Sequence, residues 1–108
     1  MNEITEFKKL INKKLFYEAH EALEEWWFPR RKTKDALSLV LKGFINAAVS
    51  MELYKRDKIE QSKKIHKVYL KYVRDELIIQ TDYCDEFESL KEFIDGKFES
   101  LKTCKKRI

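Results

Sequence analysis

Apolar positions are densest between Ala36 and Met51, sixteen residues that carry one charge, Lys42. Leu37, Val40, Leu41, Phe44, Ala48 and Met51 recur three and four apart, and Leu39, Ile45 and Val49 make the opposite side apolar as well. That spacing predicts a helix, and a helix apolar nearly all round is one that its neighbours enclose. At 1.5 Å per residue it is about 24 Å long, too short and too interrupted by Lys42 and Asn46 to read as a membrane span. The lysine stands out. An ammonium is seldom enclosed without a partner, so Lys42 is expected to meet a carboxylate.

The rest of the pattern supplies the enclosing elements. Ile4, Phe7 and Ile11 form the stripe of a first helix, with Asn2 as its candidate cap and Glu3 and Glu6 in its opening turns. Asn12-Lys13-Lys14 separates it from a second helix, LFYEAHEALEEWW. Pro29 restricts Phe28, and the basic run from Arg30 to Lys34 makes FPRRKTKD a connection. The central helix is expected to end between Tyr54 and Asp57. A fourth helix from Lys58 to Ile79 would bury Ile59, Ile65, Tyr69, Tyr72, Val73 and Leu77. Thr81 or Asp82 then caps a fifth, with Phe87, Leu90, Ile94 and Leu101 inward, Gly96 weakening its middle and the tail KTCKKRI fraying.

Composition agrees with this reading. A chain of 108 residues with 39% charged residues, 44% hydrophobic residues, two Gly and one Pro suits long helices with charged outer faces. The expected fold is all-α, a single domain over 1–108, built as a compact bundle of about five helices around a buried third helix. Cys84 and Cys104 lie far from any C-x-x-C spacing and no N-terminal apolar run resembles a signal peptide, so the expected setting is a reducing cytoplasm, with no membrane partner. The net charge of +4 permits nucleic-acid binding without arguing for it.

Candidate chemistry gathers on the second helix. At about 100° per residue with Phe16 at zero, His20 comes at about 40° and Glu24 at about 80°, along the border of the apolar face, with Tyr17 and Glu21 just beyond. Glu18 and Glu25 point away. Beside a neighbouring helix with a lone lysine, this predicts a half-buried polar cluster of His20, Glu21, Glu24 and Lys42. Trp27 lies near the centre of the apolar face and Trp26 at its edge, at about −80°.

EAHEALEEWW at Glu18 to Trp27, followed by KGFINAA at Lys42 to Ala48, resembles the signature of a small helical family known as domain of unknown function 309. The likeness covers most of the chain and implies an all-helical bundle, with no activity attached. The family's marked positions fall on Glu18, His20, Glu21, Leu23, Glu24, Trp27, Lys42 and Gly43. The family often has Gly where this chain has Lys14, Gln where it has Asn46 and Gly near Asp57.

Two functional classes follow from the cluster. In the first, the protein is a binding or interaction module: the cluster fixes one helix against another, Gly43 lets those two helices approach, and Tyr17, Trp26, Phe28 and Asn46 are the candidate ligand or partner surface. Its partner is then a protein, a small molecule or a second copy of the chain. In the second, His20, Glu21, Glu24 and Lys42 act as acid and base in a small enzyme. His20 and Glu24, one turn apart, are the candidate metal ligands for a divalent ion, but the ligand count falls short of the usual sets and no resident cofactor is expected. His66 is the second histidine, and nothing in the sequence places it nearby. A lesser alternative is phosphate-backbone binding through PRRKTK and Lys63, Lys64, Lys67 and Lys71. It lacks stacking aromatics and a recognition helix, so nucleic acid is not the expected partner.

Overall fold

The computed structural model describes residues 2–106, with side chains from 3 to 103. Six α-helices follow in order: α1 (Asn2–Asn12), α2 (Phe16–Trp27), α3 (Ala36–Lys55), α4 (Ile59–Tyr72), α5 (Asp75–Ile78) and α6 (Cys84–Lys106), with a 3-10 turn at Phe28–Arg30. No strand occurs among the described residues. The all-α expectation holds, with α3 as the central element.

Phe44 is the hub of the core. Its ring meets Phe7 of α1 at 6.4 Å, Tyr69 of α4 at 6.0 Å and Phe87 of α6 at 5.7 Å. Fully burying an aromatic or large aliphatic side chain contributes about 1.5–3 kcal/mol, so the fully enclosed Phe7, Phe16, Leu41, Phe44, Met51, Phe87 and Leu90 account for much of the driving force. Asp35 caps α3 by accepting from the Ser38 backbone N–H at 2.9 Å. The candidate cap of α1, the Asn2 side chain, lies outside the described residues, as does the side chain of Cys104.

Enclosure of α3 is incomplete. Leu39, Asn46, Val49 and Leu53 are half-buried and Lys42 is exposed. These five recur three and four apart and define a strip that α1 and α6 leave uncovered. The strip is the physical reason that Lys42 does not need a buried carboxylate. By length and composition α3 resembles a membrane span, and its most apolar window is 56% buried within the fold.

The α1–α2 and α3–α4 corners share one construction. At the end of α1, Lys14 N–H donates to Ile11 C=O and Leu15 N–H to Leu10 C=O; at the end of α3, Asp57 N–H donates to Tyr54 C=O and Lys58 N–H to Leu53 C=O. Both are Schellman endings, and their left-handed residues are Lys14 at φ 60° and Asp57 at φ 65°. Glycine adopts that conformation without strain, so the side chains of Lys14 and Asp57 carry a strain that glycine would not.

Several boundaries differ from the sequence expectation. The fourth helix stops at Tyr72, because Val73 and the extended Arg74 (φ −144°, ψ 159°) leave the helical conformation before α5 begins. Gly43 approaches the end of α4: a Cβ there would lie 2.5 Å from Val73 Cγ2 and 3.2 Å from Tyr72 Cβ. The close approach expected between the second and third helices therefore lies between α3 and α4. The tail expected to fray is helical through Lys106, and residues 107–108 lie outside the described residues.

Candidate functional site

On the α2 border, His20 Nε2 lies 3.0 Å from Glu24 Oε2, the i,i+4 contact that the helical spacing predicts. The His20 side chain is 20% exposed, and the ring of Tyr17 meets it edge-on at 5.6 Å. Among the described residues, the buried side-chain polar atoms without a partner are His20 Nδ1, Trp27 Nε1 and Arg30 Nε. All three sit on the stretch from α2 into the 3-10 turn. An unmade hydrogen bond at a buried polar atom costs about 1–3 kcal/mol, so that stretch holds unspent bonding capacity.

The His20 side of α2 faces a cleft of about 130 Å³ lined by Phe16, Tyr17, His20, Val49, Glu52, Leu53 and Arg56. Phe16 is buried, Val49 and Leu53 are half-buried, and Tyr17 and Arg56 are exposed, so the lining grades from an apolar floor to a polar rim. At the α3 side, Arg56 Nε donates to Glu52 Oε2 at 2.6 Å, and Lys55 Nζ lies 4.0 Å from Glu52 Oε1. Two cations therefore share one carboxylate at the rim. Lys55 also donates to the Lys14 carbonyl at 3.3 Å and lies 5.8 Å from the Phe16 ring centre, which ties the α1–α2 corner to the end of α3.

The four-residue cluster expected from sequence is not assembled as a unit. His20 and Glu24 pair, Glu21 is exposed, and Lys42 is exposed with its ammonium 5.6 Å from the Tyr72 ring on α4. Asn46 turns back on its own helix, Nδ2 donating to the Lys42 carbonyl at 2.8 Å. Trp26 is not a free surface: its ring packs on Phe87 at 6.2 Å and Tyr83 at 5.3 Å. Tyr17 and Phe28 are exposed, at 58% and 53%, and the Arg31 guanidinium lies 3.7 Å from the Phe28 ring centre. A shallow hollow is lined by Phe28 together with Glu21, Glu24, Glu25 and Pro29. No group of three or more His, Cys, Asp or Glu side chains suited to a metal ion comes together among the described residues. His66 lies against Phe98 of α6, at 4.1 Å between ring centres.

Sequence reasoning missed Val49, Glu52, Leu53 and Arg56 as lining residues. Their place in the lining comes from the pairing of α2 with α3, which brings the start of one helix against the end of the other, a contact that helical spacing alone does not signal.

A family model described as domain of unknown function (DUF309) matches residues 4–65. The chain belongs to that family. The matched span runs from α1 into α4 and contains every residue that lines the α2–α3 cleft, together with both halves of the EAHE and KGF signature. In this DUF309 chain all of α6 lies beyond the match, although it completes the core through Phe87, Leu90 and Ile94. No curated protein and no solved structure matches the chain.

Proposed function

We propose that this protein is a cytoplasmic binding module that takes a small molecule in the cleft between α2 and α3. The observation that carries the reading is the cleft itself, an apolar floor of Phe16, Val49 and Leu53 walled by Tyr17 and by His20, whose imidazole Glu24 holds at 3.0 Å. Small-molecule sites are concave and mostly apolar with a few placed polar groups, which is the composition of this lining. The volume of about 130 Å³, open to solvent on one side, is close to that of an apolar cavity of about 150 Å³ that accommodates benzene, which supports a ring-sized guest.

The test is an amide chemical-shift titration with benzyl alcohol, a neutral ring-bearing probe, on the full chain. Saturable shifts on Phe16, Val49 and Leu53 are expected, absent in a Val49→Trp variant that fills the cleft and keeps its helical circular dichroism. Shifts scattered over the surface, or none at millimolar probe, would overturn the reading.

A second reading, an acid/base enzyme, is favoured by the same pair, because a carboxylate-held imidazole is the arrangement of a general base. No Ser, Cys or Thr lines the cleft, and its hydroxyl is the Tyr17 phenol, so its chemistry would be proton transfer between His20 and a guest.

A further inference from the structure

The geometry points to a small monocarboxylate with a ring-sized apolar body as the ligand class, its carboxylate held by Arg56 at the rim of the α2–α3 cleft; this rests on the binding reading given above. Three observations converge on it. The floor of Phe16, Val49 and Leu53 offers no strong polar partner, so the body of the guest is apolar. Arg56 lines the cleft, commits Nε to Glu52 and is 58% exposed, so its guanidinium is reachable from solvent beside the opening. A guanidinium carries five N–H donors in a planar fork that matches a carboxylate.

Charge at the rim is divided between its two sides. On the α3 side Lys55 and Arg56 share Glu52, whose side chain is 14% exposed, so that side carries a surplus cation, while on the α2 side Glu24 is held by His20 at 3.0 Å. A guest carboxylate therefore seats on the α3 side, against Arg56. The size limit is set by the cleft: about 130 Å³ holds one six-membered ring or a branched aliphatic of similar bulk, with the carboxylate projecting outward.

A second cavity of about 90 Å³ also carries lysines, lined by Ile11, Asn12, Lys14, Phe16, Lys97, Ser100 and Leu101. It is too small for a ring, and the Lys97 ammonium lies over the Phe93 ring at 5.4 Å. Ile11 and Leu101 therefore serve as reporters of the competing location.

The experiment compares benzoate, benzyl alcohol and benzylamine by amide chemical-shift titration of wild type, Arg56→Gln and Glu52→Gln. Benzoate is expected to bind about tenfold more tightly than benzyl alcohol, with benzylamine weakest, because a charge-assisted hydrogen bond is among the stronger single contacts. Arg56→Gln should remove that preference while benzyl alcohol still shifts Val49 and Leu53. Glu52→Gln, which frees the Arg56 Nε, should tighten benzoate several-fold. Equal affinity for benzoate and benzyl alcohol at Val49 and Leu53, unchanged in Arg56→Gln, would overturn the carboxylate assignment and leave the cleft as a binding site. Benzoate shifts centred on Ile11 and Leu101 would overturn it in favour of the smaller cavity, and no saturable shift by any of the three probes would remove the binding reading itself.

Discussion

Ser50 and Ser62 bond each other reciprocally inside the α3–α4 interface: Ser50 Oγ donates to the Ser62 carbonyl at 2.9 Å and Ser62 Oγ to the Ser50 carbonyl at 2.8 Å. Both side chains are buried, and their small size lets two helices approach where larger residues would separate them. The pair fixes the register of α4 against α3, the role that the sequence reading gave to the polar cluster on α2. Ser50→Ala or Ser62→Ala should each cost about 1–3 kcal/mol in urea denaturation. The double variant should cost less than the sum by about 1 kcal/mol, because the two hydroxyls also contact each other at 3.1 Å and either single variant already removes that contact. Strict additivity would show that the two hydroxyls act independently.

The two glycines should respond to alanine with opposite signs. A Cβ at Gly43 meets Val73 Cγ2 at 2.5 Å and the Val73 backbone nitrogen at 3.3 Å, so α4 must shift. Overpacking of this kind costs about 1–3 kcal/mol. At Gly96 nothing lies within 4 Å of the added Cβ, and the substitution should stabilise α6 by about 0.5–1 kcal/mol. Thermal melts of both variants check the pair, and a stabilised Gly43→Ala would contradict the close contact of α3 with the end of α4.

Lys14 occupies the left-handed position of a Schellman ending, where a side chain costs about 1–2 kcal/mol relative to the right-handed conformation. Lys14→Gly relieves that strain and partly offsets the gain through greater freedom of the unfolded chain, so a net stabilisation of about 0.5–1 kcal/mol is expected. The bond from Lys55 to the residue 14 carbonyl survives the change, since the acceptor is backbone. A lowered melting temperature would show that the Lys14 side chain makes a contribution larger than its strain.

His66 supplies the pH dependence. Burial against Tyr69 and Phe98 lowers its pKa, the Lys102 charge lowers it further, and Asp95 opposes the shift. The unfolded chain therefore takes up the proton first as pH falls through about 6.5. Stability is full above that value and is lost as pH falls toward the lowered folded pKa. Between pH 7.5 and 5 the urea midpoint of the wild type should drop more than that of His66→Gln. Parallel profiles would place the acid sensitivity on other groups.

How much of this was legible in the sequence depended on range. The α3 core, the α2 face and the i,i+4 pairing of His20 with Glu24 are local, set by helical periodicity, and each was read from spacing alone. Lys42 was misjudged because periodicity reports which residues share a face and not whether a neighbour covers it. The uncovered strip of Leu39, Lys42, Asn46, Val49 and Leu53 exists because α1, α4 and α6 converge on Phe44 from the other side. The break after Tyr72 carries no Gly or Pro signal, and it follows from tertiary packing of Val73 against Gly43. The Glu52–Arg56 rim of the cleft depends on how α2 and α3 pair, a long-range property that neither helix encodes by itself.

The central claim is that the α2–α3 cleft holds a ring-bearing guest, and the most direct measurement is an isotope-filtered nuclear Overhauser experiment between benzoate ring protons and the methyl groups of the full chain. Contacts to Val49 and Leu53, lost on Val49→Trp while the helical spectrum is retained, are the expected result. Contacts confined to Ile11 and Leu101, or ring protons that approach no methyl group at all, would contradict the claim.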